Sequence, residues 1–183
     1  MYDQSDPRST LAGSPKPAPA RMHESFFGSE LALFYETAPQ QDDANGRTWI
    51  SRGQNFVVAY SEGRQGGVLA RFDQPDEYAI IVPDAETRVE ITTAEGSTVV
   101  PGYSVAFVPP GRSSIRMLTG GTLVRLFTPK SKDMAEAASN AAAFNCPHPN
   151  VPPFQPWPDP PGGFRVRWYT LDVPEDPSRF GRI

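Results

Sequence analysis

The chain has 183 residues, which is enough for one ordinary domain with additional terminal segments. Hydrophobic residues make up only 38 % and 21 residues are prolines, so the composition predicts a globular middle flanked by loop-like segments. The formal net charge of −4, with both signs interspersed, excludes the basic stripe on which nucleic-acid binding depends.

The cysteine count and the hydropathy pattern bear on the compartment. A single cysteine excludes an intrachain disulfide framework and agrees with a reducing environment. No apolar run approaches the roughly 20 residues that a membrane span requires. The N-terminal stretch "MYDQSDPRSTLAGSPKPAPA" lacks the apolar segment of a signal peptide. We therefore expect a cytoplasmic protein with neither a membrane nor a nucleic-acid partner.

The first two thirds of the chain divide into a polar leader and a β-rich domain. Residues 1–21 are rich in Pro, Ser and Ala without apolar periodicity, which predicts a disordered leader. Residues 22–130 are predicted to form an all-β domain, because short runs rich in Val, Ile, Phe, Tyr and Thr recur about every ten residues between turn signals. "SELALFYET" has strand-like content, and nine further runs follow: "RTWISRG", "NFVVAYSE", "GGVLARFD", "EYAIIVPD", "TRVEITTA", "STVVPGY", "SVAFVPPG", "SSIRMLTG" and "GTLVRLFTP".

Residues 131–183 are predicted to pack on the outside of this domain. Apolar residues at helical spacing and several alanines predict a helix at about 132–143, with Ser131 or Asp133 as its cap. The proline-rich stretch "PHPNVPPFQPWPDPPGG" can form neither a helix nor a sheet interior, so it predicts an extended strap. Phe154 and Trp157 are expected to pin the strap, and "FRVRWYTLDVP" predicts a terminal strand.

Two stretches of the β domain resemble the signature motifs of the cupin superfamily. "RFDQPDEYAIIVPD" matches the spacing of the first motif around Glu77, and "PGYSVAFVPPGRSSIRM" matches the second through Gly102, Gly111 and the ligand slot at Ser114. Cupins are small double-sheet jelly-roll barrels, so the resemblance implies an all-β jelly roll. It also implies a homodimer, since the unpaired edge of such a sheet seeks a partner.

The departures from the cupin pattern concern the metal ligands. In metal-binding members the four slots hold three histidines and a glutamate, whereas this sequence places Arg71, Asp73, Glu77 and Ser114 there. Arginine is always cationic and has no lone pair to donate. The chain has two histidines in all, so a three-histidine site within it is impossible. We therefore expect no transition metal and no cofactor.

Strand periodicity then predicts what faces the barrel interior. If Glu77 points inward as the resemblance implies, Arg71 and Asp73 do so as well, and Ser114 and Arg116 share the inward face of the second motif strand. Tyr60 is a candidate for the barrel mouth, with a packing role at the strand end as the alternative. Two interpretations remain open, besides a misalignment that turns these residues to solvent. One arginine stays partly free and grips a carboxylate, or the charges form an internal salt-bridge cluster that only holds the strands together.

The favoured function is a metal-free cupin domain that acts as a small-molecule binding or assembly module, with a carboxylate as the expected ligand. The alternative is a metal-dependent cupin enzyme of the dioxygenase or isomerase type, with Asp73 and Glu77 as unusual ligands. Acid–base catalysis by Glu77 without a metal ranks below both, because no histidine is placed to partner it. The abrupt ending "RFGRI" adds the hypothesis that the chain is the first half of a two-barrel protein.

Overall fold

The computed structural model describes residues 32–146, 148–149, 151–156 and 158–170. The predictions for the leader over 1–21, for Trp157 and for the stretch after Thr170 lie outside the described residues. The strands of the described ranges are β1 (Gln41–Asp43), β2 (Gly46–Arg52), β3 (Val57–Gly63), β4 (Val68–Gln74), β5 (Tyr78–Val82), β6 (Val89–Thr93), β7 (Gly96–Val100), β8 (Ser104–Val108), β9 (Gly111–Met117), β10 (Gly121–Phe127) and β11 (Arg167–Thr170). Helix α1 spans Lys132–Ala137, and 3-10 helices span Phe34–Glu36 and Ala141–Phe144.

The strands form two antiparallel sheets in jelly-roll order. The larger sheet has the order β1-β2-β3-β10-β5-β8-β11, and the smaller sheet has the order β4-β9-β6-β7. From β3 to β10 the chain crosses between the sheets at almost every step, so that strands from the two ends of this segment lie side by side in both sheets. This is the double Greek-key arrangement of a jelly roll. The all-β, cupin-like jelly roll predicted from the sequence is confirmed.

Each run predicted as a strand between residues 47 and 129 forms one, as β2 to β10. The prediction for "SELALFYET" is wrong in its described part, which forms the 3-10 helix at Phe34–Glu36. The ring of Phe34 stacks on Tyr60 at 5.0 Å, and the indole of Trp49 donates to the Thr37 carbonyl at 2.8 Å. The segment is therefore held across the outer face of the sheet by side chains, while β1 occupies the sheet edge instead.

The predicted helix over 132–143 is shorter than expected. Helix α1 ends at Ala137, and Ala138 is already extended. The residues that follow the helix form hydrogen bonds to β2. The Ser139 amide donates to the Ile50 carbonyl at 2.8 Å, and the Asn140 side chain makes two 2.9 Å hydrogen bonds with the backbone of Arg52. These bonds to a neighbouring strand replace the next helical turn.

The hydrophobic core lies between the two sheets and follows the period-two alternation of the strands. Strands β3, β5 and β8 each bury every second residue. Helix α1 adds Met134 to the same core. The largest fully buried apolar side chains include Ile50, Ile80, Ile91, Ile115, Met117 and Leu123.

The edge strands of the two sheets are the places where a second copy of the chain could pair. In the described chain the larger sheet ends at β1 and β11, and the smaller sheet ends at β4 and β7. The homodimer implied by the cupin resemblance stays a prediction. No helix within the described ranges is long and apolar enough to cross a bilayer.

The described residues of the proline-rich segment form no helix or strand and run along the loop between β2 and β3. The Gln54 side chain accepts from the His148 amide at 2.8 Å and donates to the Val151 carbonyl at 3.3 Å, and Asn55 donates to the Pro152 carbonyl at 2.9 Å. Phe154 is half-buried. The predicted extended strap is thus held mainly through its backbone, because a proline-rich segment offers free carbonyls but few amides.

Strand β11 docks against β8 and is fastened by one shielded ion pair. Arg167 Nη2 lies 2.5 Å from Glu77 Oε1, and these side chains are only 14 % and 13 % exposed. The guanidinium also packs over the ring of Phe107, at 5.4 Å from its centroid. Removing one partner of such a pair leaves the other charge poorly solvated.

Replacing Glu77 by glutamine is expected to destabilise the protein by about 1–3 kcal/mol and to speed amide exchange in β11. Chemical denaturation and hydrogen exchange measure the two effects. The matched control is Glu90→Gln, which breaks the pair with the 53 % exposed Arg116 and should cost under about 1 kcal/mol. Equal losses in the two variants would contradict a fastening role for Glu77.

Candidate functional site

A cavity of about 800 Å³ lies between β1 and β2 on one side, β4 on the other, and the segment that leads into α1. Its volume falls in the range of small-molecule sites. Its apolar lining includes Leu69, Phe72 and Met134. Its charged lining comprises four cations and three acids: Arg71, Arg125, Lys130, Lys132, Asp43, Asp73 and Asp133.

Arg125 is the most deeply buried of these charged groups. Leu123, Arg125 and Phe127 occupy every second position of β10 and therefore share its buried face. Arg125 accordingly points inward and is 3 % exposed. Its Nη2 donates to Ser61 Oγ over a long 3.4 Å, and that hydroxyl also bonds Thr48 Oγ1 at 2.9 Å. Within the described chain its Nε has no hydrogen-bond partner, and no ion pair involves it.

The charge on Arg125 persists at neutral pH despite this burial. Desolvation by burial is the main cause that lowers the pKa of Arg125 to about 10; within that net value the nearby Tyr78 acts to raise the pKa and Arg71 acts to lower it. A group with this pKa stays protonated at pH 7. The cavity lining therefore includes a cation that has no carboxylate of the described chain beside it and whose buried Nε has an unused donor.

Arg71 projects from β4 toward the same interior but is paired. Its Nε donates to Gln74 Oε1 at 2.9 Å, while Nη1 and Nη2 reach the two oxygens of Asp133 at 2.5 and 2.9 Å. This is the two-pronged geometry with which arginine recognises a carboxylate. The side chain of Arg71 is 10 % exposed and that of Asp133 is 62 % exposed. The hydrogen bonds from Arg71 lower the pKa of Asp133.

A buried amide holds Arg71 in this orientation. Gln74 is 2 % exposed, and its Nε2 donates to Ser131 Oγ at 2.9 Å and to Asp76 Oδ1 at 3.3 Å. Thr128 donates to the other Asp76 oxygen at 2.6 Å. Ser131 precedes α1 but makes no capping bond, because its hydroxyl is committed to Gln74. The network ties the ends of β4 and β10 to the start of α1.

An aromatic pair lies beneath the two guanidinium groups. Phe127 stacks on Tyr78 at 5.0 Å between centroids, and the Cζ atoms of Arg71 and Arg125 lie 5.3 and 5.8 Å from the Phe127 centroid. The Tyr78 hydroxyl bonds Ser113 Oγ at 3.0 Å. Burial raises the pKa of Tyr78, so its hydroxyl is neutral. Two positive charges thus pack on the same ring, and cation–π attraction to the ring stabilises this arrangement in part.

The expectation that Arg71, Asp73 and Glu77 share an inward face is wrong for Asp73 and Glu77. Strand β4 pairs Arg71 with Ser113 and Gln74 with Gly111, so it contains one extra residue, a β-bulge. The bulge shifts the phase of the strand, and the buried position passes to Gln74 while Asp73 is exposed at the cavity rim. Glu77 lies outside the barrel, against Arg167.

Three further expectations about orientation are also wrong. Ser114 and Arg116 lie on the outer face of the smaller sheet, because Ser113, Ile115 and Met117 occupy the buried positions of β9. Arg116 pairs there with Glu90. Tyr60 lies on the outer face of the larger sheet under Phe34, away from the cavity. A role in ligand binding is untested for all six predicted residues.

The sequence reasoning missed four residues that build the site: Arg125, Gln74, Ser113 and Asp133. The run "GTLVRLFTP" does contain a signal for Arg125. Strand periodicity puts the arginine on the same face as Leu123 and Phe127, which are apolar and buried. A charge inside such a run indicates a paired or functional group.

The metal centre that the cupin resemblance implies does not fit these residues. The inward positions of β4, β5 and β9 beside the cavity hold Arg71, Gln74, Tyr78 and Ser113, which offer a cation, an amide and two neutral hydroxyls where transition metals prefer imidazoles. Among the described residues, no group of three or more His, Cys, Asp or Glu side chains is placed to hold a metal ion. The alternative with Asp73 and Glu77 as ligands is not favoured.

The comparisons with known proteins give a likeness in fold. No family model matches the sequence, and no curated protein matches it. A solved RmlC-like cupin from Shewanella frigidimarina NCIMB 400 is 16 % identical, with a TM-score of 0.47 over 58 % of this chain and 96 % of that one. KdgF from Halomonas sp. is also 16 % identical, with a TM-score of 0.48 over 59 % of this chain and 99 % of that one.

A solved cupin domain from Bordetella pertussis Tohama I is 14 % identical, with a TM-score of 0.37 over 50 % of this chain and 96 % of that one. At such identities the likeness concerns the fold and carries no activity. By its own strand order the described domain is a cupin-like jelly roll, and what it binds has to be argued from its own cavity.

Proposed function

We propose that this cupin-like domain is a metal-free binding module whose cavity takes a small organic carboxylate, with Arg125 as the group that holds the anion. The observation that carries the proposal is the guanidinium of Arg125. It lines the cavity, is 3 % exposed, and has an Nε without a partner in the described chain.

The alternative interpretation, a purely structural Arg125, is less favourable energetically. Burying an unpaired ion costs several kcal/mol even after the protein relaxes. The stacking on Phe127 offsets about 0.5–2 kcal/mol of this cost, and the long hydrogen bond to Ser61 offsets less than an ordinary hydrogen bond would. An arginine that served only to brace strands would be expected to have a carboxylate beside it. A bound carboxylate supplies that partner.

The rest of the lining suits a small organic anion. Four cations and three acids leave one positive charge unbalanced in the wall, which a single carboxylate neutralises. The apolar residues Leu69 and Met134 of the lining offer contact for a short hydrocarbon part. Inorganic anions such as chloride lack that part and are expected to bind more weakly.

Calorimetric titration with butyrate tests the proposal. We expect saturable binding that weakens by about 100-fold or more in Arg125→Met, because the variant loses a charge-assisted bond in a desolvated site. The matched control is Arg116→Met, which removes an exposed arginine from the outer face and should leave the affinity within about twofold. Absence of butyrate binding, or equal weakening in the two variants, contradicts the proposal.

A further inference from the structure

We propose that the ligand is a dicarboxylate whose second carboxylate replaces that of Asp133 as the partner of Arg71; this inference rests on the proposed carboxylate site. Arg71 and Arg125 pack on the same Phe127 ring and both line the cavity. One of the two already holds a carboxylate, which is supplied by the protein itself.

The geometry of the Arg71–Asp133 pair is that of a replaceable contact. The side chain of Arg71 is 10 % exposed, and the hydrogen bond from its Nε to Gln74 holds it in place. Its other two nitrogens, Nη1 and Nη2, donate to Asp133. Asp133 is 62 % exposed and belongs to the first turn of the six-residue helix α1. The cation is therefore prearranged and shielded, whereas the anion reaches it from the solvent side and can return to water at little cost.

The charge balance agrees with a one-for-one exchange. With Asp133 on Arg71, one further negative charge neutralises the cavity lining, and that charge goes to Arg125. When Asp133 turns out to solvent, a second ligand carboxylate restores the same balance at Arg71. Asp133 would then act as an internal competitor that lowers the affinity for dicarboxylates and leaves monocarboxylates almost unaffected.

Titrations of wild type and Asp133→Asn with succinate and with butyrate, which have the same chain length, test this exchange. We expect the variant to bind succinate about tenfold more tightly than wild type, since the competitor is weakened, and to bind butyrate within about threefold of wild type. The control is Asp73→Asn, which removes the same charge from the rim of the same cavity without touching Arg71. It should change both affinities by less than about threefold.

A second measurement reports the exchange directly. The carboxyl carbon resonance of Asp133 is expected to shift toward that of a solvated aspartate when wild type is saturated with succinate, and to stay unchanged with butyrate. Four outcomes overturn the inference: an unshifted Asp133 resonance in the succinate complex, weaker succinate binding in Asp133→Asn, equal gains for both ligands, or the same gain in Asp73→Asn. Each of these leaves the carboxylate site at Arg125 standing if butyrate binding still depends on Arg125. Failure of both ligands to bind any variant overturns the proposed function as well.

Discussion

Replacing Arg125 by methionine is expected to stabilise the protein, although the residue lies in the middle of a core strand. The pKa of about 10 corresponds to a cost on the order of 3 kcal/mol for carrying this charge in the folded state. Loss of the stacking on Phe127 and of the long bond to Ser61 offsets part of the gain. We expect the free energy of unfolding at pH 7 to rise by about 1–2 kcal/mol and Tm by several degrees.

Denaturant titration and calorimetry of the unliganded protein measure this change. Arg116→Met serves as the control, because its exposed pair with Glu90 should contribute under about 1 kcal/mol. A gain in stability together with lost butyrate binding is the behaviour of a site that is kept strained for its ligand. A loss of more than about 1 kcal/mol in Arg125→Met would instead identify Arg125 as a structural brace.

Gly102→Ala is expected to give the largest loss of stability among these variants. A Cβ at this position would lie 2.2 Å from the Asp84 carbonyl oxygen and 2.3 Å from that of Ala85. Asp84 cannot easily retreat, since its carbonyl accepts from the Thr87 amide and its carboxylate accepts from the Thr122 amide. The two turns must move apart, which should cost about 3 kcal/mol in denaturant unfolding.

The matched control is Gly111→Ala, the other glycine of the second motif. Gly111 has φ +94, but a Cβ there would meet nothing within 4 Å, so the substitution carries backbone strain without a clash. It should cost about 1–2 kcal/mol. If Gly111→Ala costs as much as Gly102→Ala, close packing between the turns is not what Gly102 provides.

The strands could be predicted from the sequence because their alternation is strong and turn residues separate them. β2 to β10 all follow runs of β-branched and aromatic residues. β1 was missed because Gln41–Asp43 has no apolar pattern and pairs only along the sheet edge. The shortened helix escaped prediction because Asn140 bonds to Arg52, 88 positions away in sequence.

The orientation of the site residues could not be carried over from motif spacing alone. One extra residue in β4 changes which side chains face inward, and no local signal in "RFDQPDE" marks the bulge. In β9 the signal was present: Ile115 and Met117 are apolar two positions apart, and their face is the buried one. Following the apolar side chains, and not the motif slot at Ser114, selects Ser113 as the inward residue.

The charged residues of the interior are a different set from the one that the sequence predicted. Arg71 remains from the predicted residues, and Arg125 replaces Arg116 as the second arginine. Glu77 does not join Arg71 in an internal cluster, since it fastens β11 from outside. The acid that pairs with Arg71 is Asp133, which comes from the start of α1, a contact between distant segments that periodicity does not reveal.

The measurement that tests the carboxylate site most directly is the side-chain Nε–H resonance of Arg125 during a titration with butyrate. Binding at this guanidinium predicts a saturable downfield shift of that resonance, because a donor without a partner in the described chain gains a charged acceptor. The corresponding resonance of Arg116 should stay in place. An Arg125 resonance that does not move while butyrate saturates the protein would contradict the proposal.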